Sequence, residues 1–187
     1  MKNKFERTII AFINPKLNRC VLLICFLNMI SDLKLSKIWC LFATGFGLGT
    51  ISWLPVGTAA SLLAIPIWWV LNYLFPFQFY FLFLIIGTGV GIYFCDHTTK
   101  IIGVHDPKSI VWDEFVGMWM TLIIVPIHSW LWTIIAFLLF RIFDIVKPWP
   151  ISWCDREIKG GFGIIIDDIL ASIISVCIIL LLMNLYH

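Results

Sequence analysis

From Ile38 onward the chain is a series of long apolar runs separated by short polar stretches. Runs of about 20 apolar residues are long enough to cross about 30 Å of hydrocarbon as helices. Residues 57–75 and 79–95 are two such runs. Phe75-Pro76-Phe77-Gln78 turns the chain between them, and Pro66 kinks the first. From Phe115 to Phe140 there is no Asp, Glu, Lys or Arg. Pro126-Ile127-His128-Ser129 interrupts that stretch and predicts a hairpin of two spans, 110–126 and 130–146. A last span covers 164–185, opened by Gly160-Gly161-Phe162-Gly163. Residues 38–55 are also long enough to span, but Gly45, Gly47 and Gly49 weaken them as a helix and favour a re-entrant or broken segment. The fold class is therefore all-α: a polytopic membrane helix bundle of about five spanning helices plus that glycine-rich segment. Residues 35–187 form the membrane-embedded domain. Residues 1–34 are a basic extension, cytoplasmic or interfacial, whose apolar run 21–30 is too short to span.

Charge placement sets the orientation. With the N-terminus inside and 38–55 re-entering, the inner segments hold all 13 Lys and Arg and all 11 Asp and Glu. The outer turns near 75–79 and 126–130 hold none. This is an extreme positive-inside bias. If 38–55 spanned alone, every later loop would change sides.

Composition agrees. A chain 61% hydrophobic and 13% charged, with mean hydropathy +0.99, has too much apolar surface to bury as a soluble domain of this size. A net charge of +2 with no basic stripe excludes a nucleic-acid partner. The six Cys lie mostly in apolar runs without ligand-like spacing and read as small hydrophobes.

Against this background three sets of acids stand out: Asp113-Glu114, Asp144, and Asp167-Asp168. Each lies about one helical turn, roughly 5 Å, inside a membrane edge. Ionisable groups there are costly and usually serve a purpose. On helices, Asp113 aligns with Gly117. Arg141, Asp144 and Lys147 form a stripe, and Asp168 aligns with the small residues Ala171, Ser172 and Ser175. Packing on these faces would gather five carboxylates around Arg141. Such a cluster needs a counter-charge, and Mg²⁺ is the natural one, because it takes oxygen ligands and works with substrate phosphates. Arg141 and Lys147 offer phosphate contacts, with His105, Lys108 and Lys159 as further possibilities. The plainer readings are an intrahelical ion pair at Asp144 and helix-N-terminal acids at the other two sets.

Signatures of cysteine, aspartyl-phosphate and histidine-nucleophile phosphatases are absent, as is that of CDP-alcohol phosphotransferases. Activated water attacking a phosphoryl group remains. A small ion or proton transporter using the same acids is the alternative. It would place them near the midplane rather than at one edge.

The segments VHDPKSIVWDEFVGMW, FRIFDIVKPWPI and GGFGIIIDDILA, in this order, resemble the phosphatidylglycerophosphatase A family. GFGLG, GTAAS and AIP match its N-terminal block, and the resemblance runs from about residue 35 to 180. It implies Mg²⁺-dependent hydrolysis of phosphatidylglycerophosphate to phosphatidylglycerol and phosphate, at the inner face of a bacterial cytoplasmic membrane. Carried over by motif, the acids are Asp113, Glu114, Asp144, Asp167 and Asp168, with Arg141 and Lys147 at the basic positions. Two departures, Val56 with Ala60 in the N-terminal block and Lys108 before Ser109, touch no acidic motif.

Overall fold

The computed structural model describes residues 35–50, 55–102 and 109–186. Residues 39–187 form one compact unit, and the account below concerns it. The run 21–30, His105, Asp106 and Lys108 lie outside the described residues. The described residues are helical and contain no strand. In order they form α1 (Leu35–Ala43), α2 (Val56–Leu74), α3 (Phe77–Ile102), α4 (Trp112–Thr121), α5 (Trp130–Val146), α6 (Ile151–Glu157) and α7 (Gly160–Tyr186). Short 3₁₀ turns occupy Leu48–Thr50 and Leu122–Ile124.

Three described helices are long and apolar enough to cross a membrane: Val56–Leu74, Phe77–Lys100 and Gly160–Tyr186. The predicted hairpin forms, with Ser129 capping α5 by accepting from the Trp132 N–H. Its first arm is shorter than predicted. α4 has ten residues, about 15 Å of helix, before the chain tightens into a 3₁₀ turn.

The glycine-rich segment 38–55 is broken. α1 ends at Ala43, and Gly45, Phe46 and Gly47 all take left-handed backbone conformations that turn the chain. The Val111 N–H then donates to the Ala43 carbonyl, which docks this turn against the start of α4.

α7 is the central element and packs against α3, α4, α5 and α6. Its buried face includes Gly161, Ile164, Ile165, Asp168, Ala171, Ser172, Ser175 and Ile179, the spacing of one helical stripe. The small-residue face predicted after Asp168 is real, since Ala171, Ser172 and Ser175 are fully buried. Their hydroxyls are satisfied locally: Ser175 donates to the Ala171 carbonyl and Ser172 to that of Ile169.

The start of α7 differs from expectation. Gly160 to Gly163 belong to the helix rather than to a turn before it. Close approach explains them: a Cβ at Gly161 would meet the Ile92 carbonyl and the Asp96 backbone of α3. Asp96 also accepts from the Gly161 N–H at 3.4 Å, so it caps α7. The outer surfaces of α2, α3, α5 and α7 expose large apolar side chains such as Leu62, Ile85, Ile134 and Leu181, as lipid-facing surfaces do.

Candidate active site

Four helices bring their polar ends to one place. α4 contributes Asp113 and Glu114 in its first turn, after the break that Ser109 to Val111 make against α1. α5 contributes Arg141 and Asp144 in its last turns. α7 contributes Asp167 and Asp168, two turns in from its glycines. α2 contributes Gly57 and Ser61 from its first turns.

Asp113, Glu114 and Asp168 each offer a carboxylate oxygen within 4.8 Å of the other two. Asp144 and Asp167 also lie within electrostatic reach of Asp168, and Asp144 and Arg141 within that of Glu114. Gly117, one turn after Asp113, permits this convergence. A Cβ there would press on the Phe140 ring of α5 and lie 3.2 Å from the Asp168 Cβ.

Arg141 donates to Asp144 at 2.5 Å and to the Ser61 hydroxyl at 3.4 Å. Ser61 in turn donates to the Gly57 carbonyl. Arg141 and Asp144 keep 13% of their side-chain surface exposed, so this pair is reachable at the edge of the buried cluster. The Arg141 Nε has no partner, which leaves the guanidinium with unused donor capacity.

Lys147, expected as a phosphate contact, is engaged with acids of the cluster in this structure. It caps α5 in a left-handed conformation, with φ 43°, ahead of Pro148. From there its ammonium reaches Asp167 at 2.5 Å and Asp155 at 2.7 Å. Burial alone would lower its pKa, but the two carboxylates outweigh it and hold Lys147 above the ordinary lysine range. It is therefore charged at neutral pH and engaged with acids on α6 and α7. Lys159 is exposed just before α7, and among the described residues no ion pair joins it to the acids. Sequence reasoning missed Asp155, Gly57 and Ser61. Asp155 sits in a charged stretch that reads as a loop, and Gly57 and Ser61 sit in an apolar run with no charge to mark them.

The acids fit a hard divalent cation. Asp113 Oδ1, Glu114 Oε2, Asp167 Oδ1 and Asp168 Oδ2 are buried oxygens without a hydrogen-bond partner. Opposite oxygen ligands of Mg²⁺ stand about 4.2 Å apart, close to the spread of the Asp113–Glu114–Asp168 set. Among the described residues, six carboxylates, counting Asp155, stand here with two ion-paired cationic side chains, Arg141 and Lys147. A divalent cation would offset the negative charge gathered there.

These features define a class: an all-helical, multi-span membrane protein with an acid-lined, guanidinium-bearing polar centre at one end of its bundle. The sequence profile described as Phosphatidylglycerophosphatase A matches residues 41–183, a range that contains every residue of this centre. The chain belongs to the phosphatidylglycerophosphatase A family.

It is 50% identical over 145 residues to Phosphatidylglycerophosphatase A of Escherichia coli (strain K12), covering 78% of this chain and 83% of that protein. The Haemophilus influenzae protein of the same name is 44% identical over 139 residues, covering 74% and 85%. A Putative phosphatidylinositol-3-phosphatase of Bacteroides thetaiotaomicron is 41% identical over 145 residues, covering 74% and 89%. No solved structure matches the chain at a significant level.

Proposed function

We propose that this chain hydrolyses the terminal phosphate of phosphatidylglycerophosphate, releasing phosphatidylglycerol and phosphate, at the cytoplasmic face of a bacterial inner membrane. The observation that carries the reading is the meeting of Asp113, Glu114 and Asp168 with Arg141, in a chain of this family.

Asp113, Glu114 and Asp168 would hold Mg²⁺. When bound, the ion supplies Lewis-acid polarisation of the phosphoryl group and a lowered pKa for water. The remaining steps belong to the chain's own residues. Arg141, oriented by Asp144 and Ser61, donates its free N–H groups to the phosphoryl oxygens that gather charge in the transition state. Asp167, one oxygen held by Lys147, presents its unpaired Oδ1 as the acceptor for the proton of the attacking water. Water attacks phosphorus and gives one proton to Asp167, the ester P–O bond breaks to release phosphate, and the glycerol oxygen takes up that proton as Asp167 returns to the carboxylate. The lipid tails stay in the bilayer throughout.

A transporter fits less well. No Asp, Glu, Lys or Arg follows Asp168, and α2 has none, so no charged path leads from the cluster to the other face.

The test is phosphate release by the purified protein in detergent. Turnover is expected with Mg²⁺, to fall to background in chelator, and to return when Mg²⁺ is restored. Undiminished turnover in chelator contradicts the metal assignment. Phosphatidylinositol 3-phosphate, a second membrane phosphomonoester, should be run beside it to measure headgroup breadth.

A further inference from the structure

Two apolar cavities open on the lipid-facing surface, away from the acids. One, about 160 Å³, lies between α2 and α5 and is lined by Ile65, Pro66, Trp69, Ile127, Trp130 and Thr133, among others. The second, about 260 Å³, lies between α2 and α3 near their connecting turn, around Phe75, Phe79 and Phe83. Only the first is built from both helices that clasp the guanidinium. Ser61 on α2 and Arg141 on α5 meet at 3.4 Å. Ile65 is one turn beyond Ser61, and Trp130 is three turns from Arg141 on the same face of α5.

We infer that this α2–α5 groove is the binding site for the distal half of one acyl chain of the lipid whose phosphate sits at Arg141. The inference rests on the phosphatase reading above. Three observations carry it.

The first is depth. Along α5, Thr133 and Trp130 lie about 12 and 17 Å from Arg141. Half of a hydrocarbon core is about 15 Å, so a chain descending from a headgroup at the site ends at this level. The second is size and chemistry. An apolar cavity of about 150 Å³ holds a six-carbon ring, so this groove takes the last several carbons of a chain. The Thr133 hydroxyl is satisfied by the Ser129 carbonyl and demands nothing of a ligand. The third is direction. Every described charge lies at the Arg141 end of the bundle, so a lipid held there points its tails toward the groove and not away from it. The larger α2–α3 cavity is lined by no residue of α5, the helix that carries Arg141.

The groove predicts chain-length selectivity. Turnover is compared for dihexadecanoyl and dihexanoyl phosphatidylglycerophosphate in mixed micelles. Pro66→Phe fills the groove from an exposed position on α2. It is expected to lower the ratio of kcat/KM, long chain over short, by about tenfold, the scale of losing a methylene or two from an apolar pocket. A second measurement uses the unaltered protein and needs no variant to fold. A long-chain analogue with a diazirine in the distal half of one chain should label residues 65–69 and 127–133. An unchanged ratio, or label spread evenly over the lipid-facing sides of α3 and α7, overturns the groove. If the unaltered protein hydrolyses neither substrate, the phosphatase reading fails and the groove falls with it. Hydrolysis without chain-length effect or focused label removes the groove alone.

Discussion

Asp168→Asn is expected to lower phosphate release by about 10³-fold, the upper end of what removing one preorganised electrostatic group costs. Asp168 is 2% exposed, lies in the oxygen triad with Asp113 and Glu114, and has Asp144 and Asp167 as further negative neighbours. The amide keeps its shape and removes one charge. A second measurement separates a metal-holding role from a packing role. In chelator the native cluster crowds Asp113, Glu114 and Asp168 together with no metal ion between them, so relieving one acid should raise the melting temperature of the variant above that of the unaltered protein. With Mg²⁺ the order should reverse, because on the proposed metal assignment the unaltered protein binds the ion more tightly and gains its stabilisation. A variant that is less stable in both conditions, with activity intact, would mean that Asp168 serves only the packing of α7.

Gly57→Ala is expected to leave the bundle folded and to reduce kcat by about 10²-fold, the usual consequence of displacing a reacting centre by about 1 Å. A Cβ at Gly57 meets the Glu114 Oε1 and stands 3.1 and 3.2 Å from the two terminal nitrogens of Arg141. These are the far ends of flexible side chains, not backbone. The helix therefore has room to stay in place while Glu114 and Arg141 move. Circular dichroism and thermal melts in detergent should match the unaltered protein while turnover drops. Full turnover would show that α2 does not wall the site.

The acids were legible in the sequence because apolar runs make any charge conspicuous. Asp113, Glu114, Asp144, Asp167 and Asp168 needed no neighbour in sequence to stand out, and helical periodicity placed Asp168 on the face that α7 buries. Gly57 and Ser61 carry no such signal. Their part in the site arises from the crossing of α2 with α4 and α5, which is a tertiary fact. Lys147 was legible as a cation near the acids but not as their internal partner. That depends on its left-handed cap and on α6, a seven-residue helix whose charged neighbours hide it. Glycine misled at the start of α7, where its low helix propensity reads as a turn. There the absence of a side chain is what lets α3 and α7 touch, and packing overrides propensity. α3 likewise runs beyond the apolar run that ends at Cys95, on to Ile102, with Asp96 and Lys100 paired one turn apart on its exposed side.

The unequal helix lengths have a mechanical consequence. Counting the roughly 5 Å by which the acids lie inside the membrane edge, the apolar length of α5 is about 26 Å and that of α7 about 32 Å, against a typical hydrocarbon core of about 30 Å. The bundle's apolar girdle is stepped, lower along α5 than along α7. A bilayer bordering the low side thins to meet it, at a cost of fractions of a kcal/mol for each ångström of mismatch. Headgroups there settle toward Arg141 in a shallow dimple. The thickness of the host membrane thus enters the rate, and reconstitution in bilayers of graded chain length should show turnover falling as the core thickens.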